Sequence, residues 1–209
     1  MTRDDFSAKQ HWENIYKTKE TNDVSWYQDS PTLSLRLIEK TGVAKNGGII
    51  DVGGGASILV DNLLDGSYTE LAVLDISGTA LEATKARLGA RVGDVDFVVA
   101  DVTEFAPSMR YGVWHDRAVF HFLTDGGDRE KYVASLKRSL APGGHVVMAT
   151  FAVDGPQKCS GLDVRRYDAP SMSAELGGDF ELLEEHRETH VTPGGGEQRF
   201  AYFLYRMKA

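Results

Sequence analysis

The stretch Ile49-Ile50-Asp51-Val52-Gly53-Gly54-Gly55-Ala56-Ser57 decides the fold. Its first four residues form a short, mostly apolar run, as expected of a parallel strand covered on both faces. Three glycines follow, and then residues 57–64, which read as a helix. Glycine lacks a Cβ, so the backbone there can turn tightly and approach a ligand closely. A helix that starts after such a turn presents free amide groups to a polar or anionic group. Taken alone, the motif is equally well read as a plain strand-to-helix turn.

The pattern on either side of this stretch favours a ligand. Upstream, Ser30-Pro31 is a helix start, and that helix runs to about Thr41 with Leu33, Leu37 and Ile38 on one side. Earlier still, residues 7–18 read as a helix with Phe6, Trp12, Ile15 and Tyr16 as its apolar members. The segment Val24-Ser25-Trp26-Tyr27 lies between the two helices, in a loop. Downstream, Leu71–Asp75 is a second buried strand, and Ser77 caps a helix that runs to about Leu88. Phe97–Asp101, Val113–Asp116 and His145–Thr150 read as three further strands, with a helix over 127–140 before the last. Alternating strands and helices specify βαβ units and a parallel sheet. The end differs: 180–191 and 198–207 are extended runs joined by Thr192-Pro193-Gly194-Gly195-Gly196-Glu197, a hairpin loop by composition. The reading is a doubly wound α/β sheet, mostly parallel, closed by an antiparallel pair.

Composition narrows the function. Hydrophobic residues make up 42% and charged residues 26% of the 209, which is ordinary globular material. No apolar run approaches the roughly 20 residues needed to cross a bilayer. Nothing apolar follows the first charges, so a secretory signal is not expected. A single cysteine, Cys159, fits a reducing cytoplasm. The formal net charge of −8 argues against a nucleic-acid partner, which calls for clustered Lys and Arg.

Four acidic residues fall at the ends of four consecutive strands. Asp51 ends the first. Asp75, followed by Ile76, ends the second, where a carboxylate can accept hydrogen bonds from both ribose hydroxyls. Asp101 ends the third, where a carboxylate can accept an adenine amine while the Val102 backbone addresses the ring. Asp116 ends the fourth. Any one of them, taken singly, reads as a helix cap. Together they lie at the carboxyl edge of the sheet, where ligands bind in open α/β folds.

In this order the landmarks resemble those of class I methyltransferases that use S-adenosylmethionine (SAM) and release S-adenosylhomocysteine. The resemblance runs from Gly47 to Ala209 and includes Leu140-Ala141-Pro142-Gly143-Gly144-His145. It implies a seven-stranded, Rossmann-like sheet in a single domain, 1–209, with residues 1–45 as a helical lid and 46–209 as the SAM-binding core. It also implies that Asp51, Gly53, Gly54, Gly55, Ser57, Asp75, Ile76, Asp101, Val102 and Asp116 contact the cofactor, with Asp51 paired to its ammonium group. One departure is clear: the last glycine of the family's alternating pattern falls at Ser57. A dinucleotide fingerprint would instead require glycine at position 58, which is Ile58.

Two segments are candidates for the methyl acceptor. Trp26 and Tyr27 sit in the expected lid, where aromatic rings can cover a sulfonium or shape an apolar pocket. Trp12 and Tyr16 read first as packing residues. The second segment is His115-Asp116-Arg117-Ala118-Val119-Phe120-His121-Phe122. Its Asp116-Arg117-Ala118 resembles a segment of thiopurine and thiol S-methyltransferases. It is also similar to the Asp-Lys-Gly or Asp-Arg-Gly of small protein lysine methyltransferases, whose opening resembles His11–Tyr16. Arg117 is expected to hold an anionic substrate group, or else to pair with Asp116. His121 is a candidate general base, or a histidine packed on an apolar face. No metal is expected, because no close ligand set is present. The acceptor is read as a small molecule, with a thiol first among candidates. The alternatives are a protein lysine and a non-catalytic SAM-binding module. SAM or its demethylated product at about a hundred times its dissociation constant should raise the melting temperature by several degrees, and NAD should not. Thermal shift with each ligand checks this.

Overall fold

The computed structural model describes residues 7–208; the expected helix residue Phe6 lies outside them. Two helices open the chain, α1 (Ala8–Thr18) and α2 (Thr32–Lys40). Then come β1 (Ile49–Val52), α3 (Leu59–Asp65), β2 (Leu71–Asp75), α4 (Gly78–Leu88), β3 (Val95–Val99) and β4 (Tyr111–Arg117). They are followed by α5 (Gly126–Ser139), β5 (Leu140–Phe151), a short ribbon β6–β7 (Lys158–Cys159 and Leu162–Asp163), α6 (Ala169–Leu176), β8 (Phe180–Val191) and β9 (Glu197–Met207). Seven strands form one sheet in the order β3-β2-β1-β4-β5-β9-β8. All neighbours are parallel except β5–β9 and β8–β9, which are antiparallel. No helix among the described residues is long and apolar enough to cross a membrane.

The sheet buries both faces because successive side chains on a strand point to opposite sides. Ile50, Val52, Leu74, Trp114 and Met148 belong to the core under α5 and α6. Ile49, Val73, Val113 and Val147 belong to the core under α2, α3 and α4. The same alternation sorts the polar residues. Asp51, Asp75, His115 and Arg117 share the parity of the α2–α3–α4 face, and Asp116 shares that of the α5 face. β8 is one edge of the sheet and β3 the other, and the alternating exposure of β8, with Glu181, Glu184, Glu185 and Glu188 along it, suits an edge strand that must not recruit another chain.

Several boundaries differ from the sequence reading, among them β5, which starts at Leu140 instead of His145. β3 ends at Val99, so Asp101 lies two residues beyond the strand, in a turn where its Oδ1 accepts from the backbone N and Oγ1 of Thr103. α3 starts at Leu59, because Ser57 Oγ takes the Leu59 N–H at 3.1 Å. α6 is an additional helix. Its start signal is visible in Asp168-Ala169-Pro170, where Asp168 caps Ser171 N, but only Met172 and Leu176 are buried, too few for a period to show.

β4 and α5 are tied by one buried polar chain. Trp114 Nε1 donates to Tyr132 Oη at 2.9 Å, and that hydroxyl donates to Asp116 Oδ2 at 2.5 Å. Tyr132→Phe should cost about 1–3 kcal/mol, since it strands a buried indole N–H and removes a donor from a buried carboxylate. Urea unfolding monitored by circular dichroism reads the loss.

Candidate functional site at the carboxyl edge of the sheet

The glycine loop after β1 is shaped by its neighbours. Gly53 has φ +66°, and a Cβ there would fall 2.0 Å from Val119 Cγ2. Gly55 has φ +34°, and a Cβ would meet Asp75 Oδ2 at 2.7 Å and the Tyr16 hydroxyl at 3.2 Å. A Cβ on Gly54 would meet Asp51 Oδ2 at 2.5 Å. The loop therefore lies directly on the carboxylates of β1 and β2, which only glycine permits.

Two cavities meet over this loop. The larger, about 630 Å³, is lined by Gly53, Asp75, Ile76, Asp101, Val102, Thr103 and Val119 at one end. At the other end it is lined by Trp12, Tyr16, Trp26, Arg117, Phe122, Cys159 and Leu162. The smaller, about 60 Å³, is lined by Asp51, Gly53, Gly54, Ser57, Ser34, His115, Tyr27 and Gln28. Tyr16, Trp26, Gly53 and Arg117 line both and mark the junction.

The roof comes from the N-terminal helices. Glu13 on α1 accepts from Gly78 N at 2.7 Å and from Thr79 Oγ1, which fastens α1 to the first turn of α4. Trp12 packs edge-on against Trp26 and Phe122, with ring centroids 5.6 and 5.0 Å apart. Trp12 and Tyr16 thus pack and also line the site. The Trp26 loop is held from below, since Arg117 Nη1 donates to Trp26 O at 2.8 Å and His190 Nε2 lies 2.8 Å from Ser25 O.

Burial raises the charge cost of the site. It pushes the Asp75 carboxyl up to about 7, with the nearby charges of Asp51 and Glu13 adding to the effect, although Ser77 N donates to it at 2.8 Å. Burial and Asp75 also hold the Tyr16 phenol well above its ordinary range. Burial raises the Cys159 thiol to about 11, so it stands protonated at neutral pH.

The structure brings together most of the expected residues but separates two. Asp116 is fully buried on the opposite face of β4, where its carboxylate accepts from Tyr132 Oη, Val119 N and Phe120 N. It lines neither cavity and is a structural cap, because two consecutive strand residues cannot face the same side. His121 is likewise fully buried, stacked near Phe122 and Phe151, with Nδ1 accepting from Phe151 N at 3.3 Å. Burial, aided by Arg117, lowers its pKa to about 3, and it lines neither cavity, so it packs the core instead of reaching a substrate as a base. Asp101 is solvent-exposed at the rim of the large cavity. Gly55 lines neither cavity and instead fits between Asp75 and Tyr16.

Arg117 does not pair with Asp116. Its Nε donates to Tyr202 Oη at 2.9 Å, its guanidinium lies 4.4 Å over the Phe200 ring, and its Nη2 is buried without a hydrogen-bond partner. Ala118 next to it takes φ +74°, a left-handed conformation that glycine adopts without strain.

Residues 50–146 match the family model described as a methyltransferase domain. Within that span the chain is similar to methyltransferase domains. A solved SAM-dependent methyltransferase from Anabaena variabilis shares the fold, with TM-score 0.74 at 14% identity, covering 98% of this chain and 96% of that one. A relative, the eEF1A lysine and N-terminal methyltransferase of Danio rerio, is 28% identical over 155 residues. That match covers 72% of this chain and 22% of the relative, so the chain spans about a fifth of its length. Among solved structures, one from work on the conversion of a disulfide bond into a thioacetal group in echinomycin biosynthesis superposes with TM-score 0.76 at 16% identity, covering 97% of this chain and 92% of that one. The N-methyltransferase NodS of Bradyrhizobium japonicum WM9, in complex with S-adenosyl-L-homocysteine, gives 0.73 at 16% identity, covering 94% and 98%. These two likenesses establish the domain's fold.

A raised carboxyl pKa is a stability statement about the ligand-free protein. Between the unfolded value near 4 and about 7, the folded state binds the Asp75 proton and the unfolded state does not. The contribution of Asp75 to stability therefore falls as pH rises through that window. Asp75→Asn should raise the melting temperature of the ligand-free protein, by several degrees more at pH 8 than at pH 5. Thermal scans of both forms at the two pH values check the sign.

Proposed function

We propose that this protein is a SAM-dependent methyltransferase acting in the cytoplasm on a small molecule with an anionic group and a soft nucleophile, a thiol first among candidates. Residues 1–45 serve as the lid and 46–209 as the cofactor-binding core. The observation that carries the reading is the meeting of two cavities at Tyr16, Trp26, Gly53 and Arg117. Asp75 accepts the ribose hydroxyls, with Ile76 beside it. Asp101 and the Val102 backbone address the adenine at the end of the larger cavity. The methionine arm enters the smaller cavity, between Asp51, Gly53, Gly54 and Ser57. Gly55 keeps the loop close to Asp75.

When bound, SAM supplies an electrophilic methyl group on a sulfonium. The chain's own task is to align the acceptor with that methyl and to exclude water. Tyr16 and Trp26 stand at the junction, Trp12 closes above them, and Glu13 fastens α1 in place. The buried, unpartnered Nη2 of Arg117 binds the acceptor's anionic group. Among the described residues lining the larger cavity there is no histidine, and the carboxyl raised to about 7, Asp75, is committed to the ribose. A thiol, with an ordinary pKa near 8.5, needs less help to ionise than a lysine ammonium near 10.4. The guanidinium lowers the thiol's pKa further.

A protein lysine is the second reading. The Danio rerio relative supports it, and the aromatic trio Trp12, Trp26 and Phe122 suits an alkylammonium chain. The deciding experiment is transfer of labelled methyl from SAM into a cell extract, split into protein and small-molecule fractions. Label in the small-molecule fraction, lost with Asp75→Ala and cut at least tenfold in kcat/KM by Arg117→Met, supports the leading reading. Label in one protein band selects the lysine. Calorimetric binding of S-adenosylhomocysteine without any label assigns a binding module that does not turn over.

A further inference from the structure

We infer that His115 and Ser34 are positioning residues that hold Asp51 in place to receive the cofactor's amino group, linking lid helix α2 to cofactor recognition. The inference rests on the SAM reading above and assigns work to two residues that the reading leaves idle.

Three buried polar side chains from three elements join in one chain. Asp51 on β1 and His115 on β4 are register partners in the parallel sheet and share the face toward α2. His115 Nδ1 lies 2.7 Å from Asp51 Oδ1, and His115 Nε2 lies 2.9 Å from Ser34 Oγ. Asp51, His115 and Ser34 are 4%, 3% and 1% exposed, so they are shielded from bulk solvent. A carboxylate can only accept, so Nδ1 carries the proton toward Asp51. In the neutral tautomer Nε2 then accepts from the Ser34 hydroxyl. Each member fixes the orientation of the next, as in other networks where a second group orients the histidine.

The consequence falls on the other oxygen of Asp51. With Oδ1 held by the imidazole, the carboxylate cannot rotate, and Oδ2 lies against Gly54. Asp51, His115, Ser34 and Gly54 all line the small cavity. A buried carboxylate on the wall of a cavity of about 60 Å³ suits a compact cation such as a primary ammonium. The Ser34 end ties this arrangement to α2, so seating of that helix and orientation of the carboxylate are coupled.

The test separates the relay from general damage by using two ligands. S-adenosylhomocysteine carries the amino-acid arm, whereas 5′-methylthioadenosine has the same nucleoside and sulfur without it. We expect His115→Leu to weaken S-adenosylhomocysteine binding at least tenfold by calorimetry, while methylthioadenosine stays within twofold of wild type. His115→Asn, which keeps a donor toward Asp51, should recover most of the loss. Ser34→Ala, a deletion of one hydroxyl that keeps the protein testable if His115→Leu does not fold, should show a smaller loss with the same selectivity. Equal losses for both ligands, or no loss for either in Ser34→Ala and His115→Leu, would overturn the relay. Wild-type protein that binds neither ligand would overturn the cofactor reading, and the relay with it. Wild-type protein that binds both, with unselective variants, defeats the relay alone.

Discussion

The site depends on one constraint: side chains alternate along a strand, and the strands that carry it run parallel and end at one edge. Because β1, β2 and β4 are parallel and in register, Asp51, Asp75, His115 and Arg117 come to the same edge and the same face. Because the period is two, Asp116 is turned away from them, into the core under α5. The strands need no further instruction to separate a ligand-facing set from a structural set. What the loop adds is closeness. Gly53, Gly54 and Gly55 sit where a Cβ would strike Val119, Asp51 and Asp75, so the backbone rests on the carboxylates themselves.

That closeness has an electrostatic cost. Asp51, Asp75 and Glu13 gather near one another under a roof of aromatic rings, and burial with mutual repulsion raises the Asp75 carboxyl to about 7. A site so arranged is relieved by donors and positive charge. A nucleoside with an ammonium and a sulfonium brings both, which is why the same groups that destabilise the ligand-free edge favour such a ligand. Arg117 stands on the other side of the junction with one nitrogen unpartnered. The two halves thus differ in sign, carboxylates on one side of the junction and a guanidinium on the other.

Much of this was legible in the amino acids. The first, second and terminal strands, the Ser77-capped helix and the glycine loop follow from short apolar runs, cap residues and turn composition, all local signals. That Asp51, Asp75, Ile76 and Val102 come to the walls of the cavities follows from strand ends in a parallel sheet sharing an edge. Asp116 was placed among them by the same rule and lost to the parity of β4, which the run Val113–Asp116 does not reveal until the sheet's faces are known. His121 was open to a packing reading, and a short helical turn that buries it decides the matter. Ser34 and Glu13 carried no local signal. Ser34 sits on the inner face of α2 and Glu13 on α1, and each matters only for what it meets 81 and 65 residues away.

The terminal hairpin supports Arg117 and the loop that carries Trp26. β9 lies beside β5 in the sheet and carries Phe200 and Tyr202, which support Arg117 from below by ring contact and hydrogen bond. Glu188 on β8 accepts from the Tyr202 hydroxyl at 3.0 Å and from Gln28 Nε2 at 3.3 Å, and His190 meets Ser25 O. The last elements of the chain therefore hold the loop that carries Trp26, near its beginning. Arg117 joins both, donating to Tyr202 below and to Trp26 O above. An acceptor group that engages the remaining Nη2 would load the one side chain that spans hairpin and roof. Hairpin, Arg117 and roof are thereby one hydrogen-bonded unit at the junction between the cavities.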